Sequence, residues 1–107
     1  MQTVVIGAGP NGMVAAALLA RAGLATTLLE AQPRPGGALW SDEAIQPGYV
    51  HDVGAAFFPF AGVSPPLLAL KLDEVGLRYA HAPLDSAHPA RDGTCASISR
   101  DVERSIA

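Results

Sequence analysis

A glycine-rich hexapeptide separates a short β-branched run from an alanine- and leucine-rich stretch near the start of the chain. The run from Thr3 to Ile6 predicts a strand buried on both faces, because it has no polar alternation. Residues 11–22 predict a helix, and Gly23 stands where a left-handed C-terminal cap is expected. Residues 25–30 predict a second strand. Strand, helix and strand in about 30 residues make a βαβ unit.

The hexapeptide Gly7-Ala8-Gly9-Pro10-Asn11-Gly12 fits the pattern G-x-G-x-x-G, in the strand-to-helix position that the pattern requires. Gly7 permits the tight turn out of the strand, and Gly9 lets a pyrophosphate approach the backbone. Gly12 lets the helix pack close to the sheet. Pro10 and Asn11 open the helix, whose free N–H groups and partial positive charge favour phosphate oxygens.

Glu30 ends the second predicted strand. A carboxylate at this place accepts hydrogen bonds from the hydroxyls of an adenosine ribose. It also repels a 2′-phosphate, which disfavours NADP. The glycines and the acid together predict a dinucleotide-binding site, and they leave the choice between NAD and FAD open.

The residues after Glu30 narrow that choice. The segment reads Leu-Leu-Glu-Ala-Gln-Pro-Arg-Pro-Gly-Gly-Ala-Leu and contains E-A-x-x-R-x-G-G. It resembles the phytoene dehydrogenase-like FAD oxidoreductases, a family grouped with the amine oxidases and protoporphyrinogen oxidases. The resemblance implies FAD as the cofactor, with Gly36 and Gly37 beside its pyrophosphate and ribityl chain. Arg34 is expected to pair with Glu30 or to supply positive charge near phosphate. Ala31 and Ala38, which flank these residues, complete the expected cofactor contacts.

A second stretch, residues 47–57, is similar to the segment G-[FY]-x-x-D-x-G of the same family. In that family the segment leads the chain to the flavin ring. The resemblance therefore implies that Gly54, Ala55 and Ala56 lie against the isoalloxazine. Asp52 is expected to hold a turn, with a direct role near the flavin as the alternative. The cluster Phe57-Phe58-Pro59-Phe60 is expected to pack in a core or between domains, with the lining of an apolar substrate path as the alternative.

The rest of the chain predicts further elements. Residues 67–75 predict a helix, and residues 77–81 a short strand. Asp92-Gly93 is a strong turn signal, which predicts a hairpin with one strand over residues 94–99. Asp101 predicts the N-cap of a helix that starts at Val102.

Composition excludes several classes of partner. Half of the residues are hydrophobic and 16% are charged, with a formal net charge of -3. There is no basic stripe, so a nucleic-acid partner is not expected. No apolar run reaches the roughly 18 residues of a transmembrane segment. The single cysteine, Cys95, excludes an internal disulfide and fits a reducing, cytoplasmic compartment. Without Cys-x-x-Cys or a histidine cluster, no metal site is predicted.

These patterns predict an α/β fold: an FAD/NAD(P)-binding Rossmann-like βαβ unit at the start of a three-layer domain that the chain leaves incomplete. Residues 1–107 are expected to form the N-terminal part of an FAD-binding domain, because the last predicted helix is cut short and the family has longer members. The expected partners are FAD, an apolar small-molecule substrate and the missing C-terminal part of the enzyme. No catalytic residue is assigned, and the chain alone is expected to be inactive.

Three other interpretations stay open on the sequence. The first is an NAD-binding dehydrogenase domain, against which the Gly36-Gly37 segment argues. The second is a non-catalytic nucleotide-binding module, and the third is an inactive truncated fragment.

Overall fold

The computed structural model describes residues 1–105, which fall into two compact units, Met1–Val75 and the segment from Gly76 onward. The first unit begins with strand β1 (Gln2–Ile6), helix α1 (Pro10–Arg21) and strand β2 (Ala25–Leu29). The two strands are parallel, with Gln2 opposite Ala25 and Ile6 opposite Leu29. The predicted βαβ unit is confirmed.

Helix α1 ends where the sequence predicts. Gly23 has φ +84°, a left-handed conformation that lets the chain leave the helix. Its N–H donates to the Ala20 carbonyl at 2.9 Å, and the Leu24 N–H donates to the Leu19 carbonyl at 3.1 Å. These two bonds make a Schellman motif, which satisfies carbonyls left over at the end of the helix.

The βαβ unit packs through small residues. Helix α1 contacts β1, β2 and the later helical segment Pro65–Leu70. Among the described residues the buried apolar side chains are all alanines: Ala8, Ala16 and Ala61. The core is thus built from closely spaced backbones, and this agrees with the high alanine and glycine content of the sequence.

The prediction that β1 is buried on both faces is wrong for this chain. Residues Thr3 and Val5 are half-buried, while Val4 and Ile6 on the other face are 56% and 85% exposed. Leu29, opposite Ile6 on β2, is 51% exposed. Only one face of this two-stranded sheet is covered, because α1 covers that side and the described residues supply no second layer.

A small hairpin and two helical stretches complete the first unit. Strands β3 (Ser41–Asp42) and β4 (His51–Asp52) pair antiparallel. A 3₁₀ turn covers Pro59–Gly62 and is followed by helix α2 (Pro65–Leu70). The predicted helix over residues 67–75 is only partly correct. Lys71 adopts a left-handed conformation with φ 52°, which ends α2, and residues Leu72–Val75 continue as a separate 3₁₀ helix.

The second unit is a hairpin followed by a short helix. Strands β5 (Leu84–Pro89) and β6 (Cys95–Ser99) pair antiparallel around the predicted Asp92-Gly93 turn. Helix α3 covers Val102–Ser105, and the last two residues of the predicted helix lie outside the described part. The Asp101 carboxylate accepts the Glu103 N–H at 3.2 Å, so the N-cap is confirmed. The predicted strand over residues 77–81 is wrong, because this segment pairs with no strand among residues 1–105.

The turn of this hairpin is closed by a side chain. Asp92 Oδ1 accepts the Thr94 hydroxyl at 2.7 Å and the Thr94 N–H at 3.0 Å. These bonds hold the pKa of the Asp92 carboxyl below its usual range.

None of the helices within residues 1–105 has the length and apolar character needed to span a bilayer.

Alanine at position 23 tests the helix end. Gly23→Ala is expected to lower the free energy of unfolding by about 1–2 kcal/mol, because a left-handed conformation costs an L-residue about that much. An added Cβ there meets nothing within 4 Å, so the cost is purely conformational. Gly62→Ala is the matched control, since Gly62 also faces open space and has no positive φ. Urea unfolding followed by circular dichroism measures both variants. Equal stabilities would contradict the helix end described here.

Candidate functional site

The glycine turn of residues 7–12 joins the end of β1 to the start of α1. Gly7 has φ +93°, and its N–H donates to the Leu29 carbonyl at 2.7 Å, just beyond the paired strands. A Cβ added at Gly12 would overlap the Gly7 carbonyl oxygen and would lie 3.7 Å from Cγ1 of Val5. Gly12 therefore lets α1 begin directly above the turn and close to β1, as its position in the pattern predicts.

The first turn of α1 has backbone N–H groups to which no side chain of the described residues is hydrogen-bonded. Gly9 is the N-cap and has no side chain to accept a hydrogen bond, and the first turn contains no acidic residue. Pro10 at the first helical position lacks an N–H, so its place in the helix leaves no donor unpaired. The N–H groups of Asn11 and Gly12 follow it. This helix end attracts an anion through these donors and the positive end of the helix dipole.

Glu30 directly follows β2, and its carboxylate reaches back to the glycine turn. Oε2 accepts the Ala8 N–H at 2.6 Å, and Oε1 accepts the Gln32 N–H at 2.8 Å. The Gln32 N–H, followed by that of Ala8, holds the pKa of the Glu30 carboxyl below its usual range, and the Ala31 N–H adds to this effect. Glu30 is therefore ionised at neutral pH.

The Glu30 carboxylate keeps acceptor capacity for a ligand. An ionised carboxylate has about four acceptor sites, two on each oxygen. The Ala8 and Gln32 N–H groups use one site on each oxygen. The sites that these bonds leave can accept hydroxyl donors such as those of a ribose.

Ala8 links the two sequence motifs, a role that the glycine pattern alone does not predict. Its side chain is 2% exposed, and its N–H donates to Glu30. Its carbonyl accepts the Gly36 N–H at 2.8 Å. The signal in the sequence is the small residue between Gly7 and Gly9, because a larger side chain would not fit this buried place.

The glycine pair Gly36-Gly37 packs against the glycine turn itself. A Cβ added at Gly37 would lie 2.9 Å from Cα of Gly9, closer than real Cβ contacts. Gly37 also has φ +57°, and Gly36 has φ +131°, so both favour glycine. The glycine pair thus lets the backbone of its loop pack directly against the backbone of the glycine turn. Its contact with a cofactor stays a prediction.

The segment Gly54 to Ala56 lies on the other side of this loop. The Ala55 N–H donates to the Ala38 carbonyl at 2.7 Å, and a Cβ added at Gly54 would overlap the same carbonyl oxygen. The Ala56 N–H donates to the Gly54 carbonyl at 3.1 Å. These contacts join Gly54–Ala56 to the loop of Gly36-Gly37-Ala38, which itself packs against the glycine turn. The contact of Gly54–Ala56 with a flavin stays a prediction.

Arg34 pairs with Asp42 rather than with Glu30. Its Nη2 lies 3.1 Å from Oδ2 of Asp42, and the guanidinium carbon lies 3.2 Å from the centre of the Trp40 ring. Both oxygens of Glu30 are engaged by backbone N–H groups instead. No spacing rule in the sequence identifies Asp42 or Trp40 as partners of Arg34. The three side chains brace the loop around Gly36-Gly37.

Asp52 holds the β3–β4 hairpin. Its Oδ1 accepts the hydroxyl of Ser41, the residue opposite it, at 2.6 Å. This contact agrees with the structural role expected for Asp52. His51, its neighbour, has its Nδ1 3.3 Å from the Tyr49 carbonyl oxygen.

An apolar cavity of about 790 Å³ begins beside the glycine turn. Pro10 and Asn11 line one end, and the wall continues along α1 to α2. Phe58 and Phe60 contribute aromatic rings, and the polar lining residues are Asn11 and Ser64. Its volume falls within the ~300–1,000 Å³ usual for ligand pockets. Within residues 1–105, no group of three or more histidine, cysteine or acidic side chains is arranged to hold a metal ion.

Known proteins are similar to this chain in sequence and in fold. Residues 5–71 match the family described as NAD(P)-binding Rossmann-like domain. One of the subunits of limonene dehydrogenase from Castellaniella defragrans is 34% identical over 96% of this chain, which covers 18% of that protein. Hydroxyneurosporene desaturase of Cereibacter sphaeroides is 33% identical over 98% of this chain and is covered to 21%. The structure of wild-type putrescine oxidase bound to putrescine superimposes with a TM-score of 0.60 at 31% identity, over 94% of this chain and 22% of that one. The chain spans about a fifth of the length of these relatives.

The contact between Gly9 and Gly37 is tested by the same substitution on its two sides. Gly37→Ala is expected to lower the free energy of unfolding by about 1–3 kcal/mol, because the new Cβ meets the Gly9 backbone. Gly9→Ala places its Cβ 3.9 Å from Cα of Gly37, an ordinary contact, and should change stability by at most ~0.5 kcal/mol. Urea unfolding checks both. If Gly9→Ala were the more damaging of the two, the backbone packing would be contradicted.

The pH dependence of stability tests the bonds of Glu30. Since folding lowers the pKa of its carboxyl, Glu30 stabilises the fold fully above its unfolded pKa, usually about 4.3. This contribution is lost as the pH falls through the folded pKa. The wild type is therefore expected to be more stable than Glu30→Gln at pH 7, and the difference should narrow below about pH 4.3. A difference that stays constant from pH 7 to pH 3 would count against these bonds.

Proposed function

The chain belongs to the family of NAD(P)-binding Rossmann-like domains, and on that premise we propose that its glycine turn and Glu30 hold the ADP part of FAD. Its relatives make it a dinucleotide-binding segment of the FAD-dependent oxidoreductases, a group that includes desaturases and amine oxidases. FAD is accordingly its cofactor. The resemblance identified in the sequence to the phytoene dehydrogenase-like enzymes is confirmed at this level.

The observation that carries the proposal is the short contact between Glu30 Oε2 and the Ala8 N–H, 2.6 Å long. It brings the acid and the glycine turn to one place, as a nucleotide site requires. The space beside the turn is open, because a Cβ added at Gly7 meets nothing within 4 Å and one at Gly9 meets only Gly37. The residues present therefore fit an ADP group.

Each predicted cofactor residue has a role in the proposal. The turn formed by Gly7, Gly9, Pro10, Asn11 and Gly12 binds the pyrophosphate. Glu30 accepts the ribose hydroxyls, with Ala31 beside it. The loop Gly36-Gly37-Ala38 runs along the dinucleotide, and Gly54–Ala56 approaches the flavin ring. Arg34 acts as a brace through Asp42 and Trp40, because its charge is already paired.

The chain's own residues supply binding and orientation, since FAD supplies the redox chemistry when bound by accepting a hydride or two electrons from a substrate. In this proposal the open amides of α1 bind the diphosphate of the ADP group, and the free acceptor sites of Glu30 bind its ribose. The Glu30 carboxylate also disfavours a 2′-phosphate by charge repulsion.

We propose further that the substrate is apolar. The cavity beside the turn has an almost wholly apolar lining and includes Phe58 and Phe60. Two relatives are named for limonene and for hydroxyneurosporene, which supports an apolar substrate. Putrescine oxidase is named for an amine, and amine oxidation is therefore the competing assignment.

We also propose that residues 1–107 are the N-terminal part of an FAD-binding domain, and that further polypeptide completes the enzyme. The support is that the relatives are about five times longer than the part matched here. On this proposal the chain binds FAD and lacks turnover alone. A cytoplasmic location belongs to the same proposal, supported by the free, exposed thiol of Cys95.

Cofactor titration tests the proposal. The chain is expected to bind FAD and to quench its fluorescence, with NAD competing only weakly. Gly9→Ala should weaken FAD binding by at least about tenfold, or ~1.4 kcal/mol, because its Cβ occupies the approach of the pyrophosphate. Gly62→Ala is the control and should bind as the wild type does, because Gly62 is remote from the turn in sequence and its added Cβ meets nothing within 4 Å.

Two outcomes would contradict the assignment. Tighter binding of NAD than of FAD would favour the dehydrogenase alternative. Equal FAD affinity in Gly9→Ala and the wild type would show that the pyrophosphate does not lie against the glycine turn.

A further inference from the structure

We propose that Glu30 is a positioning residue, whose carboxylate holds the glycine turn in its ligand-ready conformation before any nucleotide arrives. The inference deepens the proposed function and rests on it for the identity of the ligand. It assigns Glu30 a second task, distinct from accepting hydroxyls of the ribose: the carboxylate fixes the backbone to which the pyrophosphate is proposed to bind.

The geometry of Ala8 carries this inference. Ala8 lies between β1 and α1 and belongs to neither, so regular secondary structure does not hold its N–H. That N–H donates to Glu30 Oε2 at 2.6 Å. A bond this short with an ionised acceptor belongs to the charge-assisted class, about twice as strong as a neutral bond. The side chain that follows β2 therefore fixes the middle of the turn that follows β1.

Because Ala8 is buried, loss of its hydrogen bond to Glu30 would be costly. Ala8 is 2% exposed, so its N–H has little access to water if the carboxylate is removed. A buried donor without an acceptor is costly, and a turn that loses its acceptor rearranges to find another. The conformation of the turn therefore depends on the Glu30 carboxylate.

Ala8 is also held from its other side. Its carbonyl accepts the Gly36 N–H at 2.8 Å, and Gly37 packs against Gly9. A turn that shifts at Ala8 shifts the loop that carries the glycine pair. The carboxylate thus orders the glycine turn together with the Gly36-Gly37 loop, and both are proposed cofactor contacts.

The two tasks of Glu30 are compatible. The bonds to Ala8 and Gln32 leave acceptor capacity on the carboxylate. A ribose is then bound without breaking the bond that fixes the turn. Because the turn is already in place, binding does not include the entropic cost of ordering it.

Amide NMR of the ligand-free 107-residue chain tests the proposal. In the wild type the Ala8 amide proton is expected to resonate downfield and to exchange slowly with solvent, although it lies outside helix and strand. In Glu30→Gln it should move upfield and exchange at least about tenfold faster, because the charged acceptor is lost. The Gly36 amide should change with it.

Glu43→Gln is the matched control. Glu43 Oε2 accepts the Gly48 N–H at 2.7 Å, so it makes the same kind of bond in another loop. This variant should alter the Gly48 amide and leave Ala8 and Gly36 unchanged. A fast-exchanging Ala8 amide in the wild type, or an unchanged Ala8 signal in Glu30→Gln, would overturn the proposal, and the first of these requires no variant to fold.

FAD titration of the same samples separates the inference from the proposed function. The positioning role predicts weaker FAD binding in Glu30→Gln and unchanged binding in Glu43→Gln. If the wild type binds no FAD but shows the protected Ala8 amide, the positioning of the turn stands and the FAD assignment fails. If it binds FAD while its Ala8 amide exchanges freely, the FAD assignment stands and the positioning role fails.

Discussion

The hydrogen bond from the Ala8 N–H to the Glu30 carboxylate joins the turn after β1 to the residue that follows β2. Parallel strands bring the ends of β1 and β2 to the same edge of the sheet, and the Gly7 N–H extends their pairing to the Leu29 carbonyl. Glu30 then stands beside the turn that leaves β1. Without this juxtaposition the glycine turn and the acid would be two separate motifs. This contact combines them into one proposed binding site. The site has the positive N-terminus of α1 on one side and the free acceptor sites of the Glu30 carboxylate on the other.

Absence of side chains is what allows the rest of the site to assemble around that bond. Gly37 packs on Gly9, and Gly54 packs on the Ala38 carbonyl. Each of these contacts places backbone where a Cβ would collide. The buried Ala16 follows the same logic, since its small side chain lets α1 lie close to its neighbours. The described core holds no large buried side chain. Its order therefore depends on hydrogen-bonded backbone contacts, and these contacts lie at the proposed cofactor site.

Local patterns in the sequence predicted the elements whose determinants lie within a few residues. The βαβ unit, the Gly23 cap, the Asp92-Gly93 turn and the Asp101 cap all follow from such short-range rules. Two of the errors fall where the outcome depends on more distant parts of the chain. Burial of β1 on both faces requires a second layer, and the strand over residues 77–81 requires a pairing partner. Arg34 contacts Asp42 and Trp40 because of the way its loop folds. The spacing of these residues in the sequence does not predict the contacts.

We propose that the glycine turn and Glu30 form one site for an ADP group. A structure of the chain with bound ADP-ribose tests this proposal. We expect the diphosphate against the amides of Asn11 and Gly12, with the adenosine ribose hydroxyls on the free acceptor sites of Glu30 and the Ala8 contact intact. A diphosphate seated elsewhere, such as on Arg34, or a ribose remote from Glu30, would contradict it.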